Sequence, residues 1–317
     1  MSGEEKRSFA CFGGTVTVHL GGAGASAEKA ISRAEAELLD AHERLSRFLP
    51  DSELSRFNRD PRTTVPVSAL MLELAAAVRR AGALSAGLVD ATLLAEIERA
   101  GYDESRTPVH EQTGPRAPEA APGERRRAPA AASRSRGWNQ IAVNRKTVSV
   151  SRPPGLGIDS GGIAKGLLAD IVAATLRHHS TYAVDCCGDI RVGGAAGRPR
   201  AVLVEDPSGG EPLRSLSIRD GAVATSGIAK RSWVGSDGGP AHHLLDPSTG
   251  APAFTGVVQA TAQAPSAFLA EVYSKQALLS GPDRGLDCLR FGGVLVLDDG
   301  SVEFVEAERM RPRSVVP

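Results

Sequence analysis

From Trp138 onward the chain is a succession of short runs that alternate apolar and polar residues, and this pattern constrains the fold more than any other feature. WNQIAVNRKTVSVS reads as a half-buried strand pair turning at Asn144 and Arg145. Further strands are expected in STYAVDCCG, DIRVGG, RAVLVED, LRSLSIRDGAVATSG, HHLLDP, VVQATAQAP and GGVLVLDDGSVEFVE. Only AKGLLADIVAATLRHH and SAFLAEVYSKQALLSG break the series with a helical period. Consecutive strands joined by short turns leave no room for crossover helices. The expected class is therefore α+β, with largely antiparallel sheets and packed helices, rather than a doubly wound parallel sheet.

The N-terminal part has the opposite rhythm and reads as a helix-rich lobe. From Ala27 to about Phe48, Ile31, Ala34, Leu38, Ala41 and Leu45 fall on one face of a helix whose other face is charged. PDSELSRFN carries helix-start chemistry, and VPVSALMLELAAAVRRAG predicts a second long helix with Ser68 as N-cap and Gly82 as its stop. The stretch from Glu104 to Gly137 is dense in Pro, Ala, Arg and Ser, too poor in large apolar side chains to form a core, and is expected to be a flexible insertion. Arg125 to Arg127 within it could meet a phosphate or an acidic partner, but a solvated insertion accounts for them as well. Residues 1–103, 104–137 and 138–317 are thus three organisational units.

Composition narrows the function classes. Lys plus Arg and Asp plus Glu both number 37, so no net field draws the chain to nucleic acid or anionic lipid. No apolar run is long enough to span a membrane. Cys11, Cys186, Cys187 and Cys288 contain no CxxC pair, which argues against a zinc finger or disulfide framework, and Cys186 and Cys187 read as buried small apolar residues. With no signal-type segment after MSGEEKRSFACFGG, the expected location is the cytoplasm. There is no GxSxG, HExxH or kinase HRD and DFG set.

Two segments carry chemistry. GLGIDSGGIAKGLLAD predicts a strand ending at Ile158 and Asp159, a glycine turn, and a helix starting near Ala164; backbone N–H groups there suit a pyrophosphate, with Lys165 adding charge. It is neither a Walker loop nor a Rossmann fingerprint, and taken alone it serves equally as a tight turn with a surface lysine. In HHLLDPSTG, His243 lies near Asp246 and a turn, a candidate general base that a structural histidine would also explain.

Seven segments, RFLPDSELSRFN, GLVDATL, IDSGGIAKGLLAD, VDCCGDIRVGG, AVATSG, HHLLDPSTG and ATAQAPSAFLAEVYSKQALLSG, together and in order resemble FAD:protein FMN transferases of the ApbE type. The resemblance implies FAD bound as substrate in a cleft, Mg2+ on its pyrophosphate, and transfer of FMN to a threonine or serine of an acceptor protein with release of AMP. It further implies that Asp159 and Lys165 meet the dinucleotide, that Phe48, Ser52, Glu53 and Asn58 form a motif near the isoalloxazine ring, and that Asp90 and Thr92 face FAD from a second loop. His243 takes the place of the base that activates the acceptor hydroxyl, Leu245 that of an apolar wall, and Gly162 that of a carbonyl reaching the metal. Structural alternatives stand beside these: Phe48 in the core, and Glu53, Asn58 and Asp90 as helix caps.

The resemblance breaks at the last motif. An aspartate and, four residues on, a threonine would ligate the metal; this chain has Glu271 and Lys275, with Ser274 between. Glutamate still offers oxygen to a hard cation, but a protonated lysine has no lone pair. Either the Lys275 ammonium partly replaces the metal's charge, or the chain binds FAD without turning it over. Asp189 is a second departure, at a place the family often fills with asparagine. Three functions compete: FMN transferase, noncatalytic FAD carrier, and a pyrophosphatase splitting FAD into FMN and AMP.

Overall fold

The computed structural model describes residues 3–22, 24–104, 127–235 and 238–307. The chain opens with a hairpin, β1 (Glu4–Cys11) and β2 (Gly14–Gly21). Helices α1 (Ala25–Leu45) and α2 (Glu53–Arg59), the short strand β3 (Thr64–Pro66), and helices α3 (Ala69–Leu84) and α4 (Leu94–Arg99) follow. Next come β4 (Ala142–Asn144), β5 (Ser149–Ser151), α5 (Ala164–Leu176), β6 (Tyr182–Cys186) and β7 (Asp189–Gly193). The strands β8 (Arg200–Val204), β9 (Arg214–Ile218), β10 (Gly221–Gly227), β11 (Ser232–Val234), β12 (Pro240–His242), β13 (Leu245–Asp246), β14 (Ala251–Pro252) and β15 (Val257–Ala264) succeed one another. The described chain ends with α6 (Ala267–Ser280), α7 (Pro282–Cys288), β16 (Gly293–Leu297) and β17 (Val302–Val305).

An eight-stranded sheet in the order β1-β2-β6-β7-β10-β15-β16-β17 organises the molecule, and each neighbouring pair in it is antiparallel. The α+β class and antiparallel pairing agree with the sequence pattern. The β1–β2 hairpin, which the sequence reading passed over, adds to β6 with Val16 opposite Cys186, so the two ends of the chain share one sheet.

Helix α1 lays Ala27, Ile31, Ala34, Leu38, Ala41 and Leu45 into the main core. Each leucine or isoleucine so buried stabilises the fold by about 1.5–3 kcal/mol. Helices α5 and α6 pack on the same core, and the β8–β9 hairpin covers the opposite face of the sheet with Val202, Val204, Leu216 and Ile218. Where α5 crosses α6 the approach is close: a Cβ built on Gly166 would lie 2.5 Å from the Ala267 carbonyl oxygen, so no larger residue fits without moving a helix.

Three local expectations need correction. Gly82 does not stop α3, which runs on to Leu84; it sits inside the helix because the Trp138 indole lies where its Cβ would be, 2.2 Å away. The strand expected before Asp159 is irregular chain, since its backbone bonds go to the Asn58 side chain and to Ala91 O rather than to a neighbouring strand. The stretch expected to be flexible over 104–137 lies largely outside the described residues, but from Arg127 it is tied down. Ala128 N bonds Phe254 O at 3.2 Å, Ala130 N bonds Leu279 O at 2.8 Å, and Arg127 pairs with Asp298 at 2.8 Å.

Candidate active site

A cleft of two adjoining compartments, of about 140 and 840 Å³, opens beside the N-terminus of α5. Their shared wall is formed by Gly13, Gly161, Lys165, Arg231, His243 and Lys275. Together they are large enough for an extended dinucleotide, and the wall between them is strongly cationic. The smaller compartment is apolar, with Leu45, Phe48, Leu88, Leu93, Leu245 and Leu279 on its surface.

The glycine turn forms one side. Asp159 caps a short 3-10 turn over Ser160–Gly162, its Oδ1 accepting from Gly161 N at 3.0 Å, and α5 begins at Ala164. Ser160 donates to Leu45 O at 2.7 Å, which fixes the turn against the end of α1. Arg47 Nε pairs with Asp159 Oδ1 at 3.1 Å, and its guanidinium carbon lies 4.2 Å from the Phe48 ring centroid and 5.0 Å from that of Tyr102. Tyr102 stacks on Trp233 at 5.3 Å and meets Phe48 edge-on at 5.5 Å. These rings make a rigid apolar end to the cleft. Arg47, Tyr102, Arg231 and Trp233 are not among the expected site residues, although Arg47 opens the RFLPDSELSRFN run.

Of the residues expected to face FAD, Phe48, Asp90, Asp159, Lys165 and Leu245 line the cleft, as do Gly162 and His243. Ser52, Glu53, Asn58 and Thr92 do not, and each has a structural task instead. Ser52 caps α2, accepting from Ser55 N at 2.9 Å. Glu53 accepts from Ser68 N and Oγ, both at 2.7 Å, and from Arg44 at 2.8 Å, joining three helices. Asn58 exchanges two hydrogen bonds with the Ile158 backbone, at 2.9 and 2.8 Å, and so positions Asp159. Thr92 donates to Asp90 Oδ1 at 2.5 Å, leaving Asp90 Oδ2 buried without a partner. Burial raises the Asp90 carboxyl above its ordinary range, against the pull of the Thr92 bonds.

His243 lies between β12 and β13 rather than within a strand, with Nδ1 3.4 Å from Arg231 O. Burial, reinforced by Arg231, His242 and Lys275, holds its imidazole well below the usual range. The ring is therefore neutral at physiological pH, the state in which it can take a proton.

Beneath His243 four charged side chains interlock. Lys165 pairs with Asp189, and its Nζ lies 4.0 Å from Glu271 Oε1. Lys275 Nζ donates to the same Oε1 at 2.8 Å, while Oε2 accepts from Gly166 N at 2.9 Å. Glu271 and Asp189 are 1% and 2% exposed, so their charges are matched within the protein rather than by water. Burial, with Asp189 nearby, raises the Glu271 carboxyl above its ordinary range against the pull of Lys275 and Lys165; against burial, Asp189 and Glu271 in turn raise the Lys165 ammonium.

The Mg2+ implied by the resemblance would need free oxygen lone pairs from Glu271, Ser274 and the Gly162 carbonyl. Both Glu271 oxygens are engaged, and Ser274 Oγ lies 2.8 Å from Ser226 Oγ and donates to Glu271 O at 3.1 Å. Among the described residues no three His, Cys, Asp or Glu side chains converge as a metal cluster. Glu271 keeps lone pairs beyond those bonds, but the Lys275 ammonium 2.8 Å from its Oε1 and the Lys165 ammonium 4.0 Å away crowd and repel a second cation there, so the arrangement does not fit a divalent ion.

Comparison with known proteins gives one consistent result. The ApbE family model matches residues 12–296. FAD:protein FMN transferase of Vibrio cholerae is 29% identical over 287 residues, covering 85% of this chain and 80% of that protein. The enzyme of the same name from Haemophilus influenzae is 27% identical over 278 residues, covering 83% and 76%. Among crystal structures, the ApbE protein of Thermotoga maritima superposes with a TM-score of 0.78 at 25% identity, over 96% of this chain and 97% of that one. The flavin transferase ApbE of Vibrio cholerae superposes at 0.70 with 21% identity, over 97% and 98%, a likeness of fold.

Proposed function

The chain belongs to the ApbE family, and from that membership we propose that it is an FAD:protein FMN transferase, moving FMN from FAD onto a threonine or serine hydroxyl of an acceptor protein and releasing AMP. The observation that carries the reading is a neutral His243 on the same wall as Lys165, Arg231 and Lys275. A diphosphate on that wall would meet three cationic side chains and the N–H groups of the glycine turn.

The acceptor oxygen attacks the phosphorus of the FMN half, the bond from that phosphorus to the bridging oxygen breaks, and AMP departs with the electron pair. His243 takes the hydroxyl proton as the new P–O bond forms. Lys165, Arg231 and Lys275 offset the charge that gathers on the phosphoryl oxygens and the leaving AMP. The Phe48, Tyr102 and Leu245 end supplies an apolar seat for a flat ring system, with Asp90 as an acceptor at its edge. No step is assigned to a divalent cation, since two ammonium groups already crowd Glu271. Among the described residues no helix is long and apolar enough to cross a membrane, and the four cysteines stand as free thiols, in keeping with a cytoplasmic enzyme that cell fractionation would locate.

The test is to incubate the full chain with FAD and a flavin-acceptor protein of a related transferase, then read in-gel flavin fluorescence and free AMP. Fluorescent acceptor with equimolar AMP supports the transferase; AMP with free FMN would make it a pyrophosphatase; bound FAD without AMP would make it a carrier.

A further inference from the structure

Resting on that reading, we infer that Lys275 and Lys165 form a built-in cation pair that stands where a divalent metal would otherwise meet the dinucleotide, and that Asp189 is the charge that makes the second ammonium tolerable. The sequence presents Asp189 and Lys275 as unrelated departures, far apart in the chain. In the fold they belong to one cluster. Lys165 pairs with Asp189 and lies 4.0 Å from the same Glu271 oxygen that accepts from Lys275 at 2.8 Å.

The charges decide the matter. Two carboxylates, Glu271 and Asp189, face two ammonium groups, Lys165 and Lys275, and the four sum to zero within a largely desolvated space. With asparagine at 189, a second lysine would leave the cluster with an unmatched buried positive charge. With threonine at 275, Asp189 and Glu271 would carry a surplus negative charge that invites a cation. The pair as it stands removes the electrostatic demand for a metal. Both ammonium groups border both compartments of the cleft, so they face the place a diphosphate would occupy. Lys275 uses one of its three N–H groups on Glu271, which leaves the others for a ligand.

The experiment measures FAD affinity of the full chain by quenching of flavin fluorescence, in 1 mM EDTA and in 5 mM Mg2+, for wild type, Lys275→Thr, Lys275→Met and the double variant Lys275→Thr with Asp189→Asn. Wild type should bind FAD with a Kd that differs less than about threefold between the two buffers. Lys275→Thr should bind at least tenfold more weakly in EDTA and recover most of that loss in Mg2+. Lys275→Met, which fills a similar volume and offers a soft sulfur but no oxygen to a hard cation, should weaken equally in EDTA and recover nothing. The double variant, whose cluster is again neutral, should recover part of the loss in EDTA and gain less from Mg2+ than Lys275→Thr does.

A wild-type Kd that worsens tenfold or more on chelation overturns the inference while leaving the transferase reading intact, and it does so whether or not any variant folds. Unchanged affinity of both single variants in EDTA overturns it as well. No FAD binding in either buffer, by any form of the chain, removes the functional reading and this inference with it. Mn2+ added to the FAD-saturated wild type should keep the free-ion paramagnetic resonance signal it shows with FAD alone; stoichiometric loss of that signal would overturn the proposal.

Discussion

Replacing Gly166 with alanine tests the link between helix packing and the charge cluster most directly. The added methyl carbon would lie 2.5 Å from Ala267 O, 2.7 Å from Ala267 C and 2.9 Å from Glu271 Oε2, where ordinary contact begins near 3.4 Å. Two of these are backbone atoms of α6 and cannot swing aside, so α5 and α6 must separate by most of an ångström. Overpacking of this kind costs about 1–3 kcal/mol. The separation also stretches the bond from Gly166 N to Glu271 Oε2, a hydrogen bond to a charged group that contributes about 1.5–3 kcal/mol. Alanine's better helix propensity returns about 1 kcal/mol. The expected net loss is about 1.5–5 kcal/mol, which for a chain of 317 residues lowers Tm by roughly 2–8 °C. Calorimetry of Gly166→Ala beside Gly162→Ala is the assay. At Gly162 the nearest atom would be Ala91 Cβ at 3.7 Å, so that variant should stay within about 1 °C of wild type. A Gly166→Ala protein that melts with wild type would refute the close crossing and the hold of α5 on Glu271.

Further outcomes follow from the same geometry. His243→Ala should lower the rate of flavin transfer by about 10²–10⁴-fold, and because the folded imidazole titrates well below 6.5, the wild-type rate should stay level from pH 8 down past 6.5 before falling as the base is protonated; a limb centred at or above 6.5 would contradict this. Asp90→Asn should flatten the pH dependence of the ligand-free protein's stability, since a carboxyl raised in the folded state gives up stability as pH climbs from its unfolded value through its folded one and the amide does not; urea unfolding from about pH 3.5 to pH 7 should show the variant gaining on wild type as pH rises. Arg47→Met leaves Asp159 without its nearly buried counter-charge and should weaken FAD binding at least fivefold while quenching of Trp233 by the ligand is preserved; unaltered affinity would mean the glycine turn keeps its shape unaided.

The strand series, helices α5 and α6 and the buried face of α1 are legible because period and burial speak through neighbouring residues. Ser68 was legible as a cap for the same reason, since its partner Met71 N is three residues away. What sequence spacing could not carry was any contact between distant segments. Gly82 looks like a helix stop until Trp138 is seen lying on it. Glu53 and Asn58 can be read from sequence as ligand contacts or as helix caps, and spacing does not reveal that they bond Ser68 and the Ile158 backbone. The ring of Tyr102 against Trp233 joins residues more than a hundred positions apart, and neither announces the other. The β1–β2 hairpin was overlooked although its register is regular from Glu4 opposite Gly21 to Cys11 opposite Gly14.

That hairpin has a consequence for how the protein comes into being. Strands β6, β7, β10, β15, β16 and β17 follow one another across the sheet in chain order, although β8–β9 and β11–β14 intervene, so each adds to a strand made before it. The hairpin made first must wait for β6, with Val16 meeting Cys186 only after most of the chain has emerged. Phe12 and Gly13, at its tip, belong to the rim that also holds Lys275. The cleft draws on the first hairpin and on α6 alike, so its wall cannot close until Lys275 has been made.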